Sequence, residues 1–263
     1  VDIELVRSVT VSDLYGFMVY CKEELRNNTA TRARKTSTLR LFFKYMSVQT
    51  HRLESNPADL LEAPKIKQSL PKYLSLEDSL ELLNSVDGEN ERRDYCILTI
   101  FLNCGLRLSE LCGLNLSDIS SDGTMTVTGK GNKERMVYLN DSCKTAIKRY
   151  LEVRPHEGLT AESKNALFIS RNRKRISPRT VEHIVTSYIK KAGLDGKGLS
   201  THKLRHTAAT LMYQHGHVDI RVLKDILGHA NLGTTQIYTH VSDEQIKAAI
   251  DSNPLSSVRD KSK

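Results

Sequence analysis

Several patterns that would assign a function directly are missing from the 263-residue sequence. No apolar run is long enough to cross a membrane and no signal peptide is recognisable, so we expect a cytoplasmic protein. The five cysteines are scattered without Cys-x-x-Cys spacing, which indicates reduced thiols that are mostly buried as small apolar side chains. With no Cys/His cluster and no group of three carboxylates, no metal site is expected.

The charge of the chain is positive but dispersed. Lys and Arg number 39 against 31 Asp and Glu, for a formal net charge of +8 and a pI near 9.2. This balance suits a polyanionic partner such as DNA, and it also suits many basic proteins of other kinds. Basic and acidic residues alternate along the chain, so a disordered basic tail is excluded.

Residues 1–62 are predicted to form a small helical domain. Helical spacing of apolar residues indicates one helix with Phe17 facing inward, and a second over 29–46 with Phe42 facing inward. The opposite side of the second helix, which includes Thr36, is expected to be an exposed basic face that contacts DNA phosphates. A solvated basic face explains these charges equally well. The candidate DNA-binding residues of this face are Arg32, Lys35, Arg40 and Lys44.

Residues 63–75 are predicted to be a linker. Prolines and lysines without helical or strand periodicity favour an extended segment between domains. Lys72, next to Pro71, is a candidate DNA contact in a basic strap, and an ordinary interdomain linker is an equally good interpretation. The second domain is predicted to span residues 76–263, with a helix over 92–103 that is apolar nearly all round and therefore buried.

Arg107 stands directly after this buried helix and after Gly105, which is expected to end it. A guanidinium among leucines costs free energy unless it is paired, and Glu110 is the natural partner three residues later. On these residues alone, a structural Arg107–Glu110 ion pair is the simplest explanation. A second explanation places Arg107 in a phosphoryl-transfer site, because guanidinium groups bind phosphate oxygens in bidentate geometry.

A β-hairpin is predicted around Gly-Lys-Gly-Asn-Lys, between strands over 124–128 and 135–139. A lysine on a glycine-rich turn can reach into a site and deliver a proton, so Lys130 and Lys133 compete for the role of general acid. Lys133 and Arg135 are also candidate phosphate contacts. Ordinary turn solubility would explain all three side chains.

The stretch 199–241 carries most of the residues with catalytic chemistry. Apolar spacing predicts a helix that starts with His202 and Arg205, a second helix over 219–227, and a third short element. Arginine offers a fixed charge to phosphate oxygens, and tyrosine is a covalent nucleophile once a neighbour takes its proton. Histidine can take that proton near neutral pH. The four candidate residues are His202, Arg205, His229 and Tyr238.

A further candidate DNA contact is Arg179, in a helix predicted to begin with Ser177 as its cap and Pro178 at the first helical position. The amino terminus of that helix would favour a backbone phosphate. An exposed arginine beside an ordinary helix cap is an equally good interpretation.

Six of these residues occur in the order and spacing of the tyrosine recombinase (phage integrase) family. The phrases GLRLSEL, GKGNKER, HKLRHTAAT and LGHANLGTTQIYTHV resemble most closely its Xer-type and transposon-integrase branch. The resemblance implies a mainly α fold with a small β-sheet: a helical, SAM-like core-binding domain followed by the family's catalytic domain. The family has a further helical pair before the first domain, so we expect the chain to be N-terminally truncated. The matching residues are Arg107, Lys130, His202, Arg205, His229 and Tyr238.

The resemblance also implies a reaction, the site-specific cutting and rejoining of DNA. Tyr238 would attack the scissile phosphate and form a 3′-phosphotyrosyl intermediate on the way to a Holliday junction. Arg107 and Arg205 would hold the non-bridging oxygens, and Lys130 would protonate the leaving 5′-oxygen.

Roles for the two histidines and the partners follow from the same resemblance. His202 would help to take the tyrosine proton, and His229 would hydrogen-bond the phosphate. The implied partner is double-stranded DNA with a specific recombination site, bound by a homotetramer at the nucleoid. No cofactor and no metal are implied, since side chains supply the positive charge.

Two other functions remain open at this point. A type IB topoisomerase uses a similar set of residues to relax DNA, and a non-catalytic DNA-binding regulator can keep the fold. The Xer-like motifs and the compact N-terminal domain count against the first. The complete set of six functional residues counts against the second.

Overall fold

The computed structural model describes residues 2–65, 73–129, 131–216, 220–227, 247–248 and 250–256. The chain divides into two compact units, Val1–Leu70 and Pro71–Lys263. The described fold is mainly α with a small β-sheet, as predicted. Its helices and strands, in chain order, are α1 (Ile3–Ser8), α2 (Val11–Glu23), α3 (Thr29–Lys44), α4 (Leu76–Asn84), α5 (Glu91–Cys104), α6 (Leu108–Gly113), β1 (Thr124–Thr128), β2 (Glu134–Tyr138), α7 (Asp141–Val153), α8 (Pro178–Lys191), α9 (Thr201–Gly216) and α10 (Ile220–Leu227).

The first unit consists of α1, α2, α3 and a π-helical turn, Tyr45–Gln49, that continues α3. Side-chain caps start the two longer helices: Thr10 forms a capping box with Asp13 at α2, and Asn28 caps α3. The core of this unit extends along the chain as far as Leu61, whose side chain is fully buried. The buried core residues are Leu14, Phe43, Met46, Leu53, Ala58 and Leu61.

Three side chains of the first unit lie differently from the sequence-based prediction. Phe17 and Phe42, predicted to face inward, are 41% and 43% exposed. The Lys35 ammonium lies 5.4 Å from the centroid of the Phe17 ring, so this aromatic face contacts a cation instead of the core. Thr36, predicted to be exposed, is buried, because its hydroxyl donates to the Arg32 carbonyl oxygen at 3.1 Å and leaves a methyl group to pack.

The second unit is organised around α5, in which every residue from Arg93 to Cys104 is buried. The predicted core helix is therefore confirmed, and α7 and α9 pack on it. It ends at Gly105, which has a left-handed φ of 59°. A Cβ atom at this position would lie 2.8 Å from Cδ2 of Leu227, so a side chain would meet both backbone strain and a clash. This turn places Arg107 at the first position before α6.

β1 and β2 form the predicted antiparallel hairpin, with Val127 opposite Arg135. The second strand begins one residue earlier than predicted, at Glu134. α6 contacts β1, so the hairpin lies beside the helix that begins after Arg107. Lys130, in the turn, lies outside the described residues.

The helices that carry the remaining candidates match the prediction. The Ser177 hydroxyl accepts the Thr180 N–H at the start of α8, and Pro178 occupies the first position. α9 holds His202 and Arg205 in its first two turns, and α10 is described up to Leu227.

Residues 250–256 pack on the rest of the second unit. Ile250 and Leu255 are fully buried. The Asn253 amide donates to the Leu102 carbonyl oxygen at 2.9 Å, and so attaches this segment to α5.

The five cysteines are all buried free thiols, in agreement with the prediction. None of the helices in the described ranges is both long and apolar enough to span a membrane.

Candidate active site

Arg107 lies where α5 has ended and α6 begins. Its guanidinium NH1 donates to Oε1 of Glu110 at 2.7 Å, and its backbone N–H donates to Oε2 at 2.8 Å. The predicted Arg107–Glu110 pair is thus present. The Arg107 side chain remains 37% exposed, whereas that of Glu110 is 2% exposed. The buried carboxylate therefore holds an arginine whose side chain is itself partly exposed.

Glu110 joins Arg107 to two further arginines. Arg135 donates from NH1 and NH2 to the two carboxylate oxygens at 2.9 and 2.8 Å, a bidentate pair. NH1 of Arg205 lies 3.9 Å from Oε2. Burial of the Glu110 carboxylate raises its pKa, but the hydrogen bonds from Arg135 and Arg107 outweigh burial and hold the pKa at about 2. Glu110 is therefore an anion throughout the physiological range.

Arg205 is buried, and backbone carbonyl groups hold it. NH1 donates to the Gly105 carbonyl oxygen at 2.6 Å, and NH2 donates to the Leu227 carbonyl oxygen at 2.5 Å. Burial, followed by the positive charge of Arg107, lowers the pKa of Arg205 to about 10, so the group stays charged at neutral pH. The same side chain links the end of α5 to the end of α10 and brings its charge next to that of Arg107.

His202 is exposed on the first turn of α9 and pairs with a second imidazole. Its Nε2 lies 3.1 Å from Nε2 of His206, one helical turn later. Burial, together with the neighbouring His202, lowers the pKa of His206. Since one of two such nitrogens must donate and the other accept, His206 restricts the tautomer of His202. The sequence had given no functional signal for His206.

The candidate phosphate contacts of the hairpin separate into two kinds. Lys133 is exposed in the turn. Arg135 is mostly enclosed, and its Nε donates to the Ile226 carbonyl oxygen at 3.2 Å in addition to the pair with Glu110. The sequence offered no signal for this, because Glu110 and Arg135 are 25 positions apart.

The DNA-binding candidates elsewhere differ in exposure. Arg40, Lys44 and Arg179 are exposed, whereas Arg32 and Lys35 are half-buried. The Lys35 ammonium lies 3.3 Å from the sulfur of the buried Cys21, which accounts for the partial burial of this lysine. Four of the fourteen candidates lie outside the described residues: Lys72, Lys130, His229 and Tyr238.

No group of three or more His, Cys, Asp or Glu side chains within the described ranges is arranged to hold a metal ion. What the described residues bring together is positive charge around one buried carboxylate. Such a cluster can bind and stabilise an oxyanion, and phosphate is one of the oxyanions that match the fork geometry of arginine.

Comparison with known proteins gives consistent matches. The model of the phage integrase family matches residues 72–245. The tyrosine recombinase XerC of Caldanaerobacter subterraneus subsp. tengcongensis is 52% identical over 256 residues, which cover 97% of this chain and 72% of the relative.

Solved structures match as well. The XerA recombinase crystal structure has a TM-score of 0.55 and 31% identity, and the match covers 92% of this chain and 82% of that one. The XerH site-specific recombinase, bound to its difH substrate in a pre-cleavage complex, has a TM-score of 0.69 and 25% identity, and the match covers 92% and 70%.

Proposed function

The chain belongs to the phage integrase family and is a tyrosine site-specific recombinase, and we propose from this premise that Tyr238 is its nucleophile. The tyrosine oxygen attacks the scissile phosphorus, a 3′-phosphotyrosyl bond forms, and the bond to the 5′-oxygen breaks. The freed 5′-hydroxyl of a second strand then attacks the phosphotyrosine and releases Tyr238. One phosphodiester replaces another, so ATP is not required, and side-chain cations supply the positive charge that a metal ion would otherwise provide.

The observation that carries this proposal is the pair of charged arginines around Glu110. Arg107 and Arg205 are both oriented before any substrate binds, one by the carboxylate and the other by two backbone carbonyls. Preorganised cations of this kind stabilise negative charge as it develops on the non-bridging oxygens. A structural ion pair alone would not require the second, buried guanidinium.

The remaining residues complete the proton transfers. Lys130 donates a proton to the leaving 5′-oxygen, and His202 takes the proton of Tyr238 with its tautomer restricted by His206. His229 hydrogen-bonds the phosphate. Side chains thus supply the proton transfers and the hydrogen bond, and the proposed reaction uses no cofactor.

We further propose that the first unit binds duplex DNA through the basic side of α3, so that residues 1–62 form a DNA-binding domain joined by residues 63–75 to a catalytic domain over 76–263. The XerH relative is bound to a DNA substrate in its solved structure. Exchange between two duplexes breaks four strands in total. Since each protomer supplies one tyrosine, a tetramer is the assembly that completes the exchange.

The experiment that tests this function captures the covalent intermediate. The protein is incubated with a library of nicked duplexes whose arms have random sequence, and adducts that resist denaturant are isolated and sequenced. The nick lets the cleaved end diffuse away, so the adduct accumulates. We expect the parent chain to select a defined DNA sequence.

Two variants make the result specific. Tyr238→Phe removes only the hydroxyl, so adducts should disappear while gel-shift binding of the selected DNA persists. Tyr213→Phe changes an exposed tyrosine on α9 and should leave adduct formation unaltered. Adducts that persist in Tyr238→Phe would show that another residue is the nucleophile.

A further inference from the structure

Arg135 uses its guanidinium in a way that a DNA contact would not. NH1 and NH2 are paired with the two oxygens of Glu110, and Nε is bonded to the Ile226 carbonyl oxygen. Its side chain is 15% exposed. Each of the three guanidinium nitrogens thus already has an acceptor inside the protein, which leaves two of the five N–H groups on a side chain that is mostly enclosed.

Arg135 and Arg107 share the carboxylate of Glu110, so a change at Arg135 also affects Arg107. The two oxygens of Glu110 receive two hydrogen bonds from Arg135 and two from Arg107. A carboxylate offers about four acceptor positions, and the two bonds from Arg135, the Arg107 backbone N–H and NH1 of Arg107 occupy them. Without Arg135, two acceptor positions would open and the Arg107 guanidinium would be drawn towards them.

The contact with Ile226 fixes a second part of the site. The last carbonyl groups of a helix have no partner within the helix and carry partial negative charge. At the end of α10, the Ile226 carbonyl accepts from Arg135 and the Leu227 carbonyl accepts from Arg205. Two cations therefore hold this helix end, and His229 stands two residues after it in the sequence.

The position of Arg135 on β2 connects the site to a third segment, the β-hairpin. β2 follows the turn that holds Lys130, and Arg135 is paired with Val127 of β1 across the hairpin. One side chain thus connects the hairpin, the helix that begins after Arg107 and the end of α10. Three of the proposed catalytic residues, Arg107, Lys130 and His229, stand in or close to these three segments in the sequence.

We propose that Arg135 is a positioning residue for DNA strand cleavage, acting through Glu110 and the carboxyl end of α10, and that it is not a phosphate contact. This inference rests on the proposed function. It replaces the sequence-based interpretation of Arg135, whereas Lys133 keeps its interpretation as a phosphate contact.

The test compares Arg135→Gln with Lys133→Gln in two measurements. The first is the dependence of DNA affinity on salt. Each lost phosphate contact reduces the magnitude of the negative slope of log K against log[salt] by about 1. The second is the single-turnover rate of adduct formation on saturating nicked duplex. We expect Arg135→Gln to keep the slope and to slow cleavage about 100-fold, the loss typical of misplaced catalytic groups. Lys133→Gln should reduce the magnitude of that slope by about 1.

Two further variants keep the inference falsifiable if Arg135→Gln folds poorly. Arg135→Lys retains the charge and one bond to Glu110, and its cleavage rate should lie between those of the parent and Arg135→Gln. In a Glu110→Gln background, Arg135→Gln should add little further loss, because both substitutions interrupt the same link. A lower salt slope with unchanged cleavage in either Arg135 variant would overturn the proposal. Adducts that persist in Tyr238→Phe contradict the nucleophile assignment alone, since they leave the comparison of Arg135 with Lys133 intact.

Discussion

Replacing Glu110 by Gln is the sharpest test of the charge arrangement in the second unit. Gln keeps the shape of the side chain and removes its charge. In the parent chain the carboxylate accepts hydrogen bonds from Arg107 and Arg135 and lies 3.9 Å from NH1 of Arg205. The variant would leave three guanidinium groups around a neutral amide, half of which is itself a donor. We therefore expect a large loss of stability from a change of a few atoms.

The pKa of Glu110 sets the magnitude of this loss. A pKa of about 2, against an ordinary value of 4.5, corresponds to about 3 kcal/mol in favour of the folded state when the group is charged in both states. The sign follows from the lowered pKa: this stability is fully present above pH 4.5 and is lost as the pH falls towards 2. At pH 3.5 about 2 kcal/mol of it should remain.

The assay is urea denaturation of the parent and Glu110→Gln at pH 7 and pH 3.5. We expect a difference of about 3 kcal/mol at pH 7 that shrinks by about 1 kcal/mol at pH 3.5. The matched control is Glu152→Gln, which breaks an exposed pair with Arg92 and should cost at most about 1 kcal/mol. A difference at pH 7 no larger than that of the control, or one that does not shrink in acid, would refute the reasoning.

Three further predictions concern cleavage and the C-terminal segment. Arg107→Lys keeps the charge and loses the bidentate fork, so adduct formation on nicked duplex should fall about 100-fold or more while gel-shift affinity changes little; an unchanged rate would reduce Arg107 to a structural partner of Glu110. Replacing the leaving 5′-oxygen by sulfur removes the need for a general acid, so the sulfur substrate should rescue Lys130→Ala far more than Lys133→Ala, and the reverse pattern would exchange their roles. Asn253→Ala removes the bond to α5 and leaves a buried carbonyl unpaired, so denaturation should show a loss of about 1–3 kcal/mol, and no measurable loss would mean that this contact does not hold the segment.

Predictions from the sequence succeed where a local signal decides the structure. The start of α8 follows from Ser177 and Pro178, and the end of α5 follows from Gly105, because caps and left-handed turns depend on neighbouring residues only. The core helix and the hairpin follow from their apolar patterns, each within a few residues in sequence. Arg107 and Glu110 are three positions apart, so their pairing was predictable too.

Predictions fail where a contact between distant segments decides which side chain is buried. In the first unit, the apolar spacing of α2 and α3 indicates a face but not its width, and the unit is too small to cover Phe17 and Phe42. Thr36 is buried where its hydroxyl lies 3.7 Å from the Met18 sulfur of α2, a contact that a scale of residue polarity does not represent. The carbonyls that hold Arg205 belong to the ends of two other helices, and nothing in the sequence near Arg205 announces them.

The net charge of the cluster around Glu110 gives a reason why three arginines are combined with one carboxylate. Arg107, Arg135 and Arg205 against Glu110 leave a net charge of +2 at neutral pH, because the pKa of Arg205 is about 10 and that of Glu110 about 2. A phosphodiester carries one negative charge, and attack by a tyrosine oxygen that has lost its proton adds a second. The cluster thus matches the charge of the pentacoordinate transition state better than that of bound DNA, which is the condition for faster chemistry instead of tighter binding. Under the proposed mechanism, a third unneutralised arginine would strengthen ground-state binding as well, so the carboxylate at position 110 and its partner Arg135 would serve the rate of cleavage.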